Sequence, residues 1–161
     1  MSKTAVAQRL LNSWEKLRTK PGGKRFFSFL VGRIVPYSGS IGAYVDELRP
    51  GYACLTMKDR RKLRNHLGSI HAISMANLGE LTTGLAVMSG MPTNTRAILR
   101  RLDVSYEKKA RGLLTSTCTT QLDPPTENVE HSVQAEIRDQ ADEVVAIITT
   151  LWVVGPENRD K

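Results

Sequence analysis

Residues Asn65 to Met88 read NHLGSIHAISMANLGELTTGLAVM, and the rest of the chain is best read outward from this stretch. Ile70, Ile73, Met75, Ala76, Leu78, Leu81, Leu85, Ala86, Val87 and Met88 are spread around a helical wheel rather than confined to one stripe. That is the pattern of a helix enclosed by other structure. Ser69 is placed to cap it, so the helix is predicted over about 69–88, closed by Gly90 and Pro92. Between Arg64 and Arg96 the single formal charge is Glu80. A lone carboxylate in so apolar a helix must find a partner or do chemistry, because burying an unpaired charge is costly.

The enclosing structure is predicted on both sides. Ile41 to Leu48 and Tyr52 to Lys58 read as a hairpin, with Pro50-Gly51 at the central positions of a type II turn. After Pro92 the chain reads as four strands, Arg96 to Glu107, Leu113 to Leu122, Val129 to Asp139 and Glu143 to Val154. Turns are expected at Lys108 to Gly112, Asp123-Pro124-Pro125 and Asp139 to Asp142. Val129, His131, Val133, Ala135 and Ile137 alternate with polar residues, the period of a half-buried antiparallel strand. One antiparallel sheet curled around one buried helix accounts for all of this, an α+β fold. Upstream, Val6, Leu10, Leu11, Trp14 and Leu17 recur at helical spacing until Pro21-Gly22-Gly23. A shorter helix with Phe26, Phe27, Leu30 and Ile34 follows and ends near Pro36. The expected organisation is a basic helical segment at 1–36 and one domain at 37–161.

Composition bounds the function classes. With 161 residues, 40% hydrophobic and 24% charged, the chain fits one ordinary globular core. Phe26 to Val35 is the nearest approach to a membrane span, but it is too short and is interrupted by Gly32 and Arg33. It does not read as a signal peptide either, so the expected compartment is the cytoplasm. Cys54 and Cys118 lack metal-ligand spacing and read as small core hydrophobes. The net charge of +7 sits at the start of the chain: Lys3, Arg9, Lys16, Arg18, Lys20, Lys24, Arg25 and Arg33 face only Glu15, and the remaining charges cancel. Without a basic recognition helix or a nucleic-acid motif, this cluster reads as a solvated helical face, and no nucleic-acid partner is expected.

Asn65, His71 and Glu80 then fall into a pattern. The order hairpin, Asn-x5-His, apolar helix with an acid, and a run of strands resembles the hotdog-fold acyl-CoA thioesterases, above all the phenylacetyl-CoA thioesterase-like group and its uncharacterised relatives. The resemblance covers roughly residues 39–154. It extends to Glu47-Leu48-Arg49-Pro50-Gly51, Leu102-Asp103-Val104-Ser105-Tyr106, Ala110-Arg111-Gly112 and Asp139-Gln140. That family has an Asn six positions before a His-Gly-Gly turn and fifteen before an acid on the central helix, the spacing of Asn65, His71 and Glu80. The two glycines are Ala72 and Ile73 here. Since only proline lacks a backbone N–H, Ala72 keeps the donor that the family aims at the thioester carbonyl.

The resemblance implies an acyl-CoA thioesterase with no metal or redox cofactor. Glu80 would act as general base or as nucleophile through a mixed anhydride, two routes the residues leave open. The first turn of the helix would stabilise the oxyanion through Ala72 N–H, with His71 fixing the turn through its ring N–H groups. Asn65 would position water or thioester, and the bland alternative for it is bracing a turn. Gly68 and Asn77 are candidate substrate neighbours, and Lys108, Lys109 and Arg111 are candidates for the coenzyme A phosphates. In the family the helix acid faces the turn of a neighbouring subunit, which implies a homodimer or a dimer of dimers with interfacial sites. The alternative for Glu80 is an ion pair with Arg64 or Arg96. The alternative for the whole protein is a non-catalytic acyl-CoA binder or sensor, while a hydratase would normally need a His in the acid-base role.

Overall fold

The computed structural model describes residues 4–157, with side chains from Ala7 onward. Lys3, counted above in the basic N-terminal segment, and the side chain of Val6, assigned to the first helix, lie outside the described residues. Helices α1 (Thr4–Arg18) and α2 (Gly23–Ile34) form where the apolar periodicity predicts them, and Gly22 with φ +71° turns the chain between them. Trp14 and Phe27 meet edge to face, their ring centroids 5.1 Å apart. Both are 2% exposed, burial that stabilises by about 1.5–3 kcal/mol per large apolar side chain. α3 (Pro36–Gly39) is a single turn opened by its proline.

The hairpin is present: β1 (Tyr44–Arg49) pairs antiparallel with β2 (Tyr52–Met57), and Gly51 takes the positive φ, +73°, that the turn requires. Strands β3 (Thr95–Tyr106), β4 (Leu114–Thr119), β5 (Val129–Arg138) and β6 (Val144–Pro156) complete one sheet of order β1-β2-β4-β5-β6-β3, every neighbouring pair antiparallel. The expected turn at Lys108 to Gly112 is therefore no hairpin. It carries the chain from the edge strand β3 back to β4 in the middle of the sheet. The cysteines lie on adjacent strands and are free; Cys118 is buried, its thiol pushed up to about 12 by desolvation, whereas Cys54 is only half-buried on the other side of β2.

The central helix is α4 (Ala72–Gly90), and it lies against the sheet. Leu78, Thr82, Thr83, Ala86 and Val87 have no exposure at all. The two threonines satisfy their hydroxyls within the helix, Thr82 Oγ1 donating to Leu78 O (2.7 Å) and Thr83 Oγ1 to Glu80 O (3.0 Å). At Gly79 a Cβ would stand 2.3 Å from Ile148 Cγ1, so glycine is what lets the helix settle onto β6. The helix starts later than predicted, and Ser69 is not its cap. His71 is: its ring Nδ1 accepts from Ile73 N (3.1 Å). Ser69 is instead buried and donates its hydroxyl to Asn65 Oδ1 (3.2 Å), drawn away by the tight turn in front of the helix.

The N-terminal helices close the β1 edge. Val45 N donates to Ser28 Oγ (2.8 Å), and Lys24 Nζ donates to Asp46 O (2.7 Å), so α2 side chains occupy backbone groups of the edge strand. Trp14, Phe27 and Val31 join the same core as the sheet and α4. Among the described residues, no helix is long and apolar enough to cross a membrane.

Candidate active site

The site is built around the start and the middle of α4. Ile73, Asn77, Glu80, Gly84 and Met88 recur at helical spacing as a line that is exposed at Ile73 and only partly buried beyond it. Glu80 is half-buried within that line, and desolvation pushes its carboxyl above the ordinary value while a hydrogen bond with the Ser38 side chain pulls it back. Neither suspected cation pairs with it. Arg64 Nε sits 2.7 Å from Asp59 Oδ1, and Arg96 reaches Asn128 Oδ1 (3.4 Å). Among the described residues Glu80 has no ion pair. Asn77 Oδ1, one turn away, is buried without a hydrogen-bond partner among the described residues.

At the N-terminus of α4 the turn is held from several directions. Asn65 Oδ1 accepts from Leu67 N (2.9 Å), Ser69 N (3.3 Å) and Ser69 Oγ, while Gly68, at φ +69°, donates its N–H to Asn65 O (3.1 Å). The Asn65 oxygen thus braces the turn, and its NH2 group has no partner among the described residues. His71 N donates to Leu63 O (2.7 Å) and Ile70 N to Ala110 O (2.9 Å), which docks the Ala110-Arg111-Gly112 loop onto the turn. Asp59 ties the same loop down by accepting from Gly112 N (3.0 Å), and the Arg64 guanidinium holds its carboxyl below the usual range. His71 is expected to fix the turn through its ring N–H groups; here its ring Nδ1 accepts from Ile73 N–H instead.

Ala72 N–H, at the first position of α4, has no acceptor among the described residues, and the Ala72 carbonyl accepts from Tyr106 Oη (2.9 Å). Neither Ala72 nor Ile73 takes a positive φ, so the turn does not need glycine at either place. Ile73 is 56% exposed and projects away from its own core. Eight residues at 1.5 Å rise put Glu80 about 12 Å from Ala72 along the helix, too far for one chain to bring both to the same reacting atom.

The other candidates are dispersed. Lys108 is engaged by Asp139 (2.7 Å) and by Glu143, so its charge is already compensated. Arg111 and Lys109 lie on the crossing loop, Arg111 near the Asp59 carboxylate. Two participants were missed. Ser38 has no periodic or motif signal, and Tyr106 was noted in the resemblance without a role; both are joined to α4 only by tertiary folding. Among the described residues no group of His, Cys, Asp and Glu could hold a metal ion.

An antiparallel sheet curled about one central helix, with an acid midway along it and a braced turn at its start, defines a hotdog-fold protein. Residues 23–154 match the family described as a domain of unknown function, DUF4442, and the chain belongs to that family. The fold resembles a structural-genomics protein designated APC5556, with TM-score 0.77 and 29% identity over 96% of this chain and 98% of the other. It also resembles a Pseudomonas aeruginosa protein described as a probable thioesterase, with TM-score 0.71 and 21% identity over 80% of this chain and 93% of that one. For a mutant of the phenylacetic acid degradation protein PaaI from Thermus thermophilus, the values are 0.62 and 17%, over 73% and 97%. No curated protein matches the chain.

Proposed function

We propose that this protein is a thioesterase that hydrolyses an acyl-CoA to free acid and coenzyme A. It works as a homodimer or dimer of dimers in which Glu80 of one chain meets Asn65 and Ala72 of another. The observation that carries this reading is a pair of unmet groups on α4: a half-buried carboxylate without a cation, and a helix-start N–H without an acceptor. Their separation along one helix favours a site completed by a second copy. The thioesterase description of the Pseudomonas aeruginosa neighbour supports the reaction class.

In this chemistry Glu80 takes a proton from water as the water oxygen attacks the carbonyl, or attacks the carbonyl itself to give a mixed anhydride that water then hydrolyses to the free acid, and desolvation strengthens it for either task. The developing oxyanion is received by Ala72 N–H at the positive end of the helix, and its collapse expels the coenzyme A thiolate. The free NH2 of Asn65 donates to the water or the thioester. Thiol release from a panel of short, branched, aromatic and long acyl-CoAs tests the reading. Turnover of at least one substrate is expected, and Glu80→Gln should abolish it with fold and assembly intact. An active Glu80→Gln protein would overturn the mechanism, and tight binding without turnover across the panel would make the protein an acyl-CoA binder.

A further inference from the structure

A basic cleft lies beside this site. On α2, Arg25, Phe29 and Arg33 occupy i, i+4 and i+8, a single stripe of the helix, and that stripe lines an open cleft of about 1200 Å³ facing the β1–β2 hairpin. Lys58 and Arg60 line it from beyond β2, and its wall holds one carboxylate, Asp46, which already accepts from Thr56 Oγ1 (2.8 Å). The side chains of Arg25, Arg33 and Lys58 have no hydrogen bond or ion pair among the described residues. Arg60 donates from one guanidinium nitrogen to Ile41 O, while its Nε is buried with no acceptor among the described residues. Four cations around one engaged carboxylate make a focused positive potential, which attracts a polyanion.

The cleft also reaches the candidate centre. Ser38 stands in its wall and hydrogen-bonds the Glu80 carboxylate, and Leu81, the next residue of α4, lines it as well. By contrast, Lys108 is occupied by Asp139 and Glu143. We propose that the cleft binds the phosphate-bearing end of coenzyme A, with Arg25, Arg33 and Lys58 on the phosphates and the pantetheine arm running past Ser38 to Glu80. The assignment rests on the acyl-CoA reading above. Phe29, between the two arginines and 60% exposed, offers an aromatic face to the adenine.

Calorimetric titration of the full chain with coenzyme A, and separately with uncharged pantetheine, tests it. Coenzyme A should bind more tightly than pantetheine and lose affinity as salt rises. The Arg25→Ala/Arg33→Ala/Lys58→Ala variant should weaken coenzyme A at least tenfold with pantetheine unaffected, and raise KM for an acyl-CoA more than it lowers kcat. Should that variant not fold, exposed Arg33→Glu alone reads the same effect. Equal affinity for the two ligands, unchanged coenzyme A affinity in the triple variant, or its loss in Lys109→Ala/Arg111→Ala instead would overturn the cleft. Because titration needs no turnover, an inactive protein that binds coenzyme A through these residues would overturn the thioesterase reading alone. An active one indifferent to the triple substitution would overturn the cleft alone.

Discussion

The two edges of the sheet are finished in different ways. β1 is short, carries a bulge between Val45 and Glu47, and has backbone groups taken up by Ser28 and Lys24 of α2. β3 runs for 12 residues along β6 and has no strand on its other side among the described residues, with Ile98, Leu102 and Tyr106 exposed along it. Proteins blunt an edge strand when pairing there would be harmful. Here the chain spends two helices on one edge and leaves the longer one bare. The contrast teaches where a second copy fits the proposed composite site: an edge that pairs with itself about a two-fold axis presents the same residues on both sides.

The largest effect should come from opening the closed edge. Trp14→Ala removes a ring that is 2% exposed, and it should cost about 3–5 kcal/mol, a Tm lowered by roughly 6–20 °C in a melt followed by circular dichroism. A loss within about 0.5 kcal/mol would mean that the N-terminal helices are decoration rather than part of the core. Next comes the open edge. Leu102→Lys places a charge on the bare strand and should leave monomer stability within about 0.5 kcal/mol. Under the proposed assembly it should nevertheless dissociate the dimer in sedimentation velocity and cut thiol release at least a hundredfold, about 2.7 kcal/mol of barrier. An intact, active dimer would move the interface away from β3.

The smallest effect lies between the edges, at Glu80. Burial raises its folded-state pKa above the ordinary 4.5. Between those two values the folded state binds more protons than the unfolded state, so stability falls as pH rises. Stability is fully present below the ordinary value, declines through the raised folded one and is flat beyond it. Glu80→Gln should remove that decline and be at least as stable as the parent at neutral pH, as read by urea melts across pH 4–8. A variant less stable than the parent at pH 7 would assign Glu80 to holding the fold.

Elements dominated by local pattern were legible in the sequence. The spread of apolar residues over 70–88 gave the buried helix, Pro50-Gly51 gave the hairpin, and alternation in 129–137 gave β5. What escaped depends on contacts between distant residues. Nothing local to β3 says that it leaves for the far edge, because its partner β6 comes last in the chain. Ser69 looked like a cap because capping is read from the residue before the apolar run, but the competing bond to Asn65 Oδ1 moves the helix start to His71. The candidate site divides the same way. The spacing of Asn65, His71 and Glu80 pointed to the start and the middle of α4. The Ser38 bond and the free cations of α2 needed three dimensions. Lys108 looked available only because Asp139 and Glu143 are far along the chain.

The brace at Asn65 also sets a polarity. Two of its three donors, Leu67 N and Ser69 N, are backbone amides that cannot accept, so the carboxamide cannot rotate end for end without setting NH2 against N–H. Its outward face is therefore permanently a donor. A lone pair arriving at this turn meets a hydrogen already aimed at it.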